Sequence, residues 1–439
     1  MLVPNDMNGQ IIGVLGLGRS GIAAVAALQA AGARVVAFDD EKHHYNLPAV
    51  HMTDWRDWPW QDMAAMVISP GIPHRHPKPH PAAAHANSLQ IEVISEIELA
   101  MRAKPQARLV VVTGTNGKST TTALIGQCLK TAGRAHAIGG NLGDPACSLD
   151  DPGKDGVLVL ELSSYQLETT PSLAPDISIL LNISPDHLDR HGGMKGYIAA
   201  KTVALDRLRT DCLAIIGDGD EHVKMLAAAT RKRGIKTMIA SPDDAPDAQR
   251  HSASLAGSHN AENAAAAAFA LAALGLDITM INRGVKSYTS LPHRLQTVAH
   301  CGKIQFVNDS KATNGVAAAK ALSAFDDIYW VAGGLAKQDG LAPAMQYLGA
   351  VKKAYLIGAA ATEFAKSLDG QCPAAICGDL EKATRAAFDD ASAAIDGGTI
   401  LLAPAAASFD QFTSFGARGD AFAALAQNLC ATNAGGNHA

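Results

Sequence analysis

Leu109-Val-Val-Val-Thr-Gly-Thr-Asn-Gly-Lys-Ser-Thr120 carries an aliphatic strand into a glycine turn and then into the start of a helix. Backbone N–H groups in such a turn point inward at a phosphate, and the amino end of the following helix adds a favourable dipole. Lys118 is placed to reach terminal phosphates and the Ser119 hydroxyl to ligate magnesium. A strict P-loop has glycine where Val112 stands, so the turn is a shortened variant. A purely structural turn would need the glycines too, but it would not need Lys-Ser-Thr at the helix start.

Outward from this stretch, short apolar runs alternate with alanine-rich helical stretches, the pattern of α/β domains with mainly parallel sheets. Strands are predicted over 11–17, 34–38, 66–69, 109–113, 157–162, 177–183, 213–217, 304–307, 328–332, 354–357 and 400–402, and helices over 22–31 and 118–132. The pattern restarts around 103–108, and Leu291-Pro-His293 reads as a second linker. Three domains result: a Rossmann-like domain over 1–104, a central P-loop ATPase-like domain over 105–292 and a Rossmann-like domain over 293–439.

The 439 residues are 48% hydrophobic and 18% charged, a balance that belongs to a folded chain. A net charge of −5 argues against a nucleic-acid partner, which needs a basic face. The uncharged run 264–276 is shorter than the roughly 20 residues of a membrane helix, so no membrane insertion is expected. No basic stretch precedes the first apolar run, as a secretory leader would require. Seven dispersed cysteines predict free thiols and a cytoplasmic location.

Other segments carry chemistry at strand ends. Glu161 closes the strand predicted over 157–162 and is followed by Leu-Ser-Ser-Tyr-Gln-Leu-Glu168. Beside a phosphate loop, a carboxylate there is suited to magnesium. Asn182-Ile-Ser-Pro-Asp-His-Leu-Asp-Arg-His191 places His187 and His191 four apart, a zinc spacing on a helix. Pro185 and the neighbouring acids suit a loop instead, with His187 as a magnesium contact. Lys201, from spacing alone, reads as a solvated lysine.

Gly16-Leu-Gly-Arg-Ser-Gly21 follows a strand and opens a helix, and Asp39 closes the next strand, the setting of a dinucleotide fingerprint. Such a loop binds a pyrophosphate, and NAD is only one molecule that owns one. Arg19 and Ser20 add donors, while Asp39 or Asp40 can reach a ribose or a base. His74, His76, His80 and His85 lie among prolines and predict a floppy basic loop rather than a metal site. Asn308-Asp-Ser-Lys-Ala-Thr-Asn314, Gly333-Gly-Leu-Ala-Lys337 and Ala407-Ser-Phe-Asp-Gln-Phe412 form three polar turns at strand carboxyl ends, one crevice edge of one sheet.

Together these segments resemble the Mur ligase family of peptidoglycan synthesis, from Gly16 to Phe415. The resemblance rests on the turn at 114–120, Glu161 to Glu168, Asp186-His-Leu-Asp-Arg190, Gly257-Ser-His-Asn260 with Asn263, Leu291-Pro-His-Arg294 and Asn308 to Asn314. Glu-Leu-Ser-Ser-aromatic-Gln-Leu, with Asp-Ser-Lys-Ala-Thr-Asn and Ser-Phe-Asp-Gln-Phe, looks like the D-glutamate-adding branch. It implies an ATP-dependent amide ligase that phosphorylates the carboxylate of UDP-N-acetylmuramoyl-L-alanine. The acyl phosphate then takes D-glutamate, and ADP and phosphate leave.

The resemblance also implies roles. Lys118, His187, Lys201 and Arg294 would be catalytic. Gly114, Thr115, Asn116, Gly117, Lys118, Ser119, Thr120, Asn260, Asn263, Arg294 and Asp309 would meet ATP. Of two Mg2+ ions, Ser119 and Glu161 would hold one and His187 the other, supported by Lys201 carbamylated with carbon dioxide. Gly18, Arg19, Ser20, Asp39, Asp40, Ser69 and Asn141 would line the UDP-sugar. Lys311, Thr313, Lys337, Ser408 and Phe415 would take the amino acid. A monomer is expected. The chain departs from the family at Arg19, Ser20 and Asp40, in a uracil-site loop that differs among members, and at Ala403, where serine is common.

Three alternatives remain at this level. An NAD-dependent oxidoreductase built on the Gly16 turn leaves the second phosphate loop unused. A P-loop ATPase without ligation would release phosphate with no amino acid present. Another Mur ligase, or a folylpolyglutamate synthase-like ligase, would share the ATP residues.

Overall fold

The computed structural model describes residues 1–41, 47–336 and 340–435. Two compact units emerge, residues 1–251 with 260–288, and residues 252–259 with 289–439.

The first unit holds two parallel sheets. One is five-stranded, in the order His51–Met52, Arg34–Phe38, Ile11–Leu15, Met63–Ile68, Glu92–Ile94. Its order reverses between Ile11–Leu15 and Met63–Ile68, and ligands of such sheets bind at the carboxyl side of a reversal. Ile11–Leu15 is buried along its length and stops at Gly16, whose φ of +88° breaks the strand. Helix Arg19–Ala30 then packs Gly21, Ala24, Ala27 and Leu28 inward. Small residues let this helix lie close: a Cβ at Gly21 would strike the Gly16 carbonyl oxygen.

The second sheet is six-stranded, in the order Lys236–Ala240, Leu213–Gly217, Ile177–Leu180, Arg108–Thr113, Val157–Glu161, His136–Gly140. One continuous apolar core joins it to the first sheet, running from Ile12 and Val14 through Ile97 and Leu99 to Val111, Leu158 and Leu160. Glu96 is sealed beside that core. Burial pushes its carboxyl up to about 7, against the opposing pull of the Cys147 N–H, which donates to it.

The other unit holds a six-stranded sheet in the order Gln296–Cys301, Ile304–Asn308, Gly398–Leu402, Ile328–Gly333, Val351–Ile357, Ala374–Gly378. All pairs are parallel except the first. The closing helix Phe415–Gly435 packs on Gln296–Cys301 and Ile304–Asn308.

Several strands absent from the sequence reading, among them Lys236–Ala240, Gln296–Cys301 and Ala374–Gly378, are edge strands. Each buries at most one face, so no apolar run marks it. Two expectations are corrected. Cys301 and Cys430 are a disulfide pair with Cα atoms 5.3 Å apart, because the closing helix lies against the edge strand. Cys128, Cys147, Cys212, Cys372 and Cys377 are free thiols. The histidine stretch is not floppy: His80 accepts from the Ala82 N–H and caps helix Pro81–Ser88, and His85 packs its ring 4.9 Å from Trp60.

Candidate active site

The turn at 114–120 leaves the second sheet between two neighbours that supply its walls. Strand register sets Val112 beside Glu161 on one side and Thr113 beside Leu180 on the other. Asn182, two residues past Leu180, braces the turn. Its backbone oxygen accepts from the Thr115 N–H at 2.9 Å, and its Oδ1 accepts from the Asn116 N–H at 2.9 Å. The Thr115 hydroxyl pairs with Tyr197 at 2.9 Å. Gly117 is left-handed, at φ +87°, and lies against Asn263, so that a Cβ there would strike the Asn263 side chain. Asn263 in turn donates to Asn260 Oδ1 at 3.1 Å.

Helix Lys118–Thr131 starts at Gly117 without a side-chain cap, and the amino end of a helix favours an anion. Lys118 Nζ donates to the Gly114 and Thr115 oxygens at 2.9 and 2.8 Å, bringing its charge over the turn. Lys201, read from spacing as solvated, is only 2% exposed and donates to the same Gly114 oxygen at 2.7 Å. Burial, with the nearby Lys118 charge second, holds it well below an ordinary lysine.

Ser119 Oγ donates to Glu161 Oε2 at 2.5 Å, and Asn141 Nδ2 donates to Oε1 at 2.7 Å. Glu161 is 1% exposed. A sealed carboxylate in contact with a hydroxyl, at the mouth of a phosphate turn, is an oxygen pair that suits Mg2+, which uses few protein ligands and keeps phosphate oxygens and water. His187 is exposed and left-handed, at φ +52°, with Nε2 3.4 Å from Asp186 and its ring 5.3 Å from Tyr165. His191 instead turns into the core. Among the described residues no three His, Cys, Asp or Glu side chains form a metal cluster, so the zinc spacing has no counterpart.

At the reversal of the first sheet, Asp39 Oδ2 accepts from the Leu17 N–H at 2.5 Å, and Ser69 Oγ donates to the Gly16 oxygen at 2.9 Å. Gly18 and Arg19 are exposed, and helix Arg19–Ala30 also lacks a side-chain cap. Asp40 pairs with His80 at 3.1 Å. Arg19 donates to the Gly143 oxygen, two residues from Asn141. The 141–144 turn is therefore touched by the first glycine loop through Arg19 and by Glu161, the partner of Ser119.

In the other unit, Asp309 Oδ1 accepts from the Leu295 N–H at 3.2 Å, next to Arg294. Burial raises the Asp309 carboxyl to about 7, against the backbone bond and the Arg294 charge. Lys311 Nζ lies 3.9 Å over the Phe415 ring, and the Thr313 N–H donates to the Lys311 oxygen at 2.8 Å. Ser408 is buried and its oxygen accepts from the Phe412 N–H. Lys337 lies outside the described residues.

Sequence reasoning missed Tyr197 as a brace of the turn, and also Asn182, although that residue opens a segment it singled out. It also missed Arg418, which is 1% exposed and ties three turns together. Arg418 donates to Ser310 Oγ at 3.0 Å, to the Gly333 oxygen at 3.3 Å and to the Ala406 oxygen at 3.1 Å. One arginine in an alanine-rich helix carries no signal of such a role.

Known proteins share these features. A family model described as the Mur ligase middle domain matches residues 112–252, and one described as the Mur ligase glutamate ligase domain matches 293–406. The UDP-N-acetylmuramoylalanine–D-glutamate ligase of Caulobacter sp. (strain K31) is 43% identical, with 98% of each chain covered. Its Rhodospirillum rubrum counterpart is 42% identical, over 97% of this chain and 96% of that one. Among solved structures, a MurF ligase from Thermotoga maritima in complex with ADP aligns with a TM-score of 0.61 at 15% identity, covering 99% of this chain and 98% of that one. At that identity the likeness is one of fold.

Proposed function

This chain belongs to the Mur ligase family, and we propose that it joins D-glutamate to UDP-N-acetylmuramoyl-L-alanine at the expense of ATP. The observation that carries the reading is the Ser119–Glu161 pair at the mouth of an uncapped phosphate turn, with Lys118 lying over it. The high-coverage relatives named for this reaction support the choice of substrates.

Phosphoryl transfer between two anions is mostly a matter of positioning and charge neutralisation. The N–H groups of the 114–120 turn and the Lys118 ammonium hold the β- and γ-phosphates. Asn260, Asn263, Arg294 and Asp309 take the rest of the nucleotide. When bound by Ser119 and Glu161, with His187 serving a second site, Mg2+ supplies charge neutralisation at the transferring phosphoryl. Lys201 is sealed, and burial holds it below the usual lysine range, a shift toward the neutral amine with which carbon dioxide reacts; this supports its carbamylated form.

The Gly18 to Ser20 turn, Asp39, Asp40, Ser69 and Asn141 hold the UDP-sugar. Lys311, Thr313, Lys337, Ser408 and Phe415 receive D-glutamate, whose two carboxylates call for cations and hydroxyls. The domains run over 1–104, 105–292 and 293–439, and the enzyme works as a cytoplasmic monomer. No helix among the described residues is long and apolar enough to cross a membrane.

One assay tests the reading: phosphate release from ATP against a panel of UDP-muramoyl substrates crossed with amino acids, both enantiomers of glutamate included. The expected result is release that needs UDP-N-acetylmuramoyl-L-alanine and D-glutamate together. Release without an amino acid would support the plain ATPase instead.

A further inference from the structure

Arg190 follows the metal-side segment at 186–189, yet its side chain reaches the first sheet. Its Nη1 donates to the Gly71 oxygen at 2.8 Å, and its Nη2 donates to the Ile72 and Pro70 oxygens at 3.1 and 3.3 Å. These three consecutive carbonyls directly follow Ser69, which is itself bonded to Gly16 at the reversal of the sheet.

The guanidinium is set from below. It lies 4.4 Å over the Tyr165 ring, whose other stacking partner is His191, at 5.3 Å and nearly parallel. The His191 ring is hydrogen-bonded through Nε2, and its Nδ1 faces a carboxylate. Nε2 is 2.9 Å from Ser164 Oγ and Nδ1 is 3.4 Å from Glu168 Oε2. Glu168 also stands 3.8 Å from His74, in the same loop that Arg190 holds. Ser164, Tyr165 and Glu168 sit on the short helix that begins three residues after Glu161.

We propose that Arg190, seated on Tyr165 and His191, is a positioning residue that fixes the 69–74 loop against the Glu161 corner and so sets the acceptor carboxylate relative to the transferring phosphoryl. A planar fork with several donors can hold three carbonyls at once. A lysine ammonium is a point charge on a flexible stem and cannot hold the same plane or stack in the same way. The kinetic half of the inference rests on the proposed ligase reaction. The structural half does not.

Two measurements keep these halves apart. Hydrogen exchange of unliganded Arg190→Lys should show faster exchange at the Ile72 and His80 amides, which bond within the loop to the Ser69 and Pro73 oxygens, with the Leu109–Val112 amides unchanged. In the phosphate-release assay, the same variant should lose about tenfold or more in kcat while the KM for ATP stays within about twofold, since small misplacement of reacting groups is costly. Tyr165→Leu, which removes the platform and leaves the fork, should show both effects at smaller size and serves if Arg190→Lys does not fold. Adding guanidinium to Arg190→Ala should restore part of kcat, and ammonium should not.

Unchanged loop exchange in a folded variant, or kinetic losses shared equally with ATP binding, would overturn the proposal. A wild-type chain that releases no phosphate with any substrate pair would remove the ligase reading, and the exchange result would still decide the role of Arg190.

Discussion

The turns at 16–21 and 114–120 have the same backbone plan and different chemistry. Each ends a buried parallel strand, bends at a left-handed glycine and opens a helix with no side-chain cap. In the first, a carboxylate from the next strand, Asp39, accepts from the turn and no lysine follows. In the second, Lys118 covers the turn and Ser119 meets Glu161. A glycine cradle of this kind suits an anion in either case. Whether that anion is merely held or reacts is decided by the two or three side chains that follow.

The difference can be broken by experiment. Lys118→Ala should lower phosphate release by about 10³-fold, the scale of removing a key electrostatic contact, with the KM for the UDP substrate unchanged. An active variant would defeat the assignment of the second turn. Lys201→Ala should lose about 10²-fold in kcat and regain part of it with added short carboxylates, which take the place of a carbamate. No loss, or loss without rescue, counts against carbamylation.

Asp39→Ala should act on the other turn. Its expected effect is about a tenfold rise in KM for the UDP substrate, about 1.4 kcal/mol, with kcat and the KM for ATP kept. If it weakened ATP equally, the two turns would not be separate sites. Titrating NADH against the wild-type chain should produce no fluorescence change, since the first turn is read as a UDP site.

A separate effect, on stability and not on catalysis, lies away from both turns. The folded Glu96 carboxyl titrates near 7 against an ordinary 4.5, so the folded state binds the extra proton. Stability should fall as pH rises between those values and level off above. Glu96→Gln should flatten that slope and gain up to about 3 kcal/mol at pH 8, read from denaturant midpoints at pH 5 and pH 8.

Much of this was legible in the chain itself. Buried central strands such as Val157–Glu161 are unbroken apolar runs, and the glycine turns stand out against them. Edge strands did not announce themselves, because solvent on one face dilutes the pattern. Lys201 was misread for a related reason: helical spacing locates a residue on a face but says nothing of what covers that face. Tyr197, four residues earlier on the same helix, packs 4.8 Å from its amine. Arg190 and Arg418 each act on backbone oxygens far away in the chain, and a carbonyl leaves no trace in sequence.

Arg418 also bears on how the chain is completed. Its guanidinium joins the segments at 310, 333 and 406 from inside helix Phe415–Gly435, later in the chain than every strand. A polypeptide still emerging from the ribosome can fold its first two sheets long before that residue exists. The turns at 310, 333 and 406 are thus fastened only once Arg418 has been made, and a message cut short before its codon would yield a chain whose strands are made but whose fastening is missing.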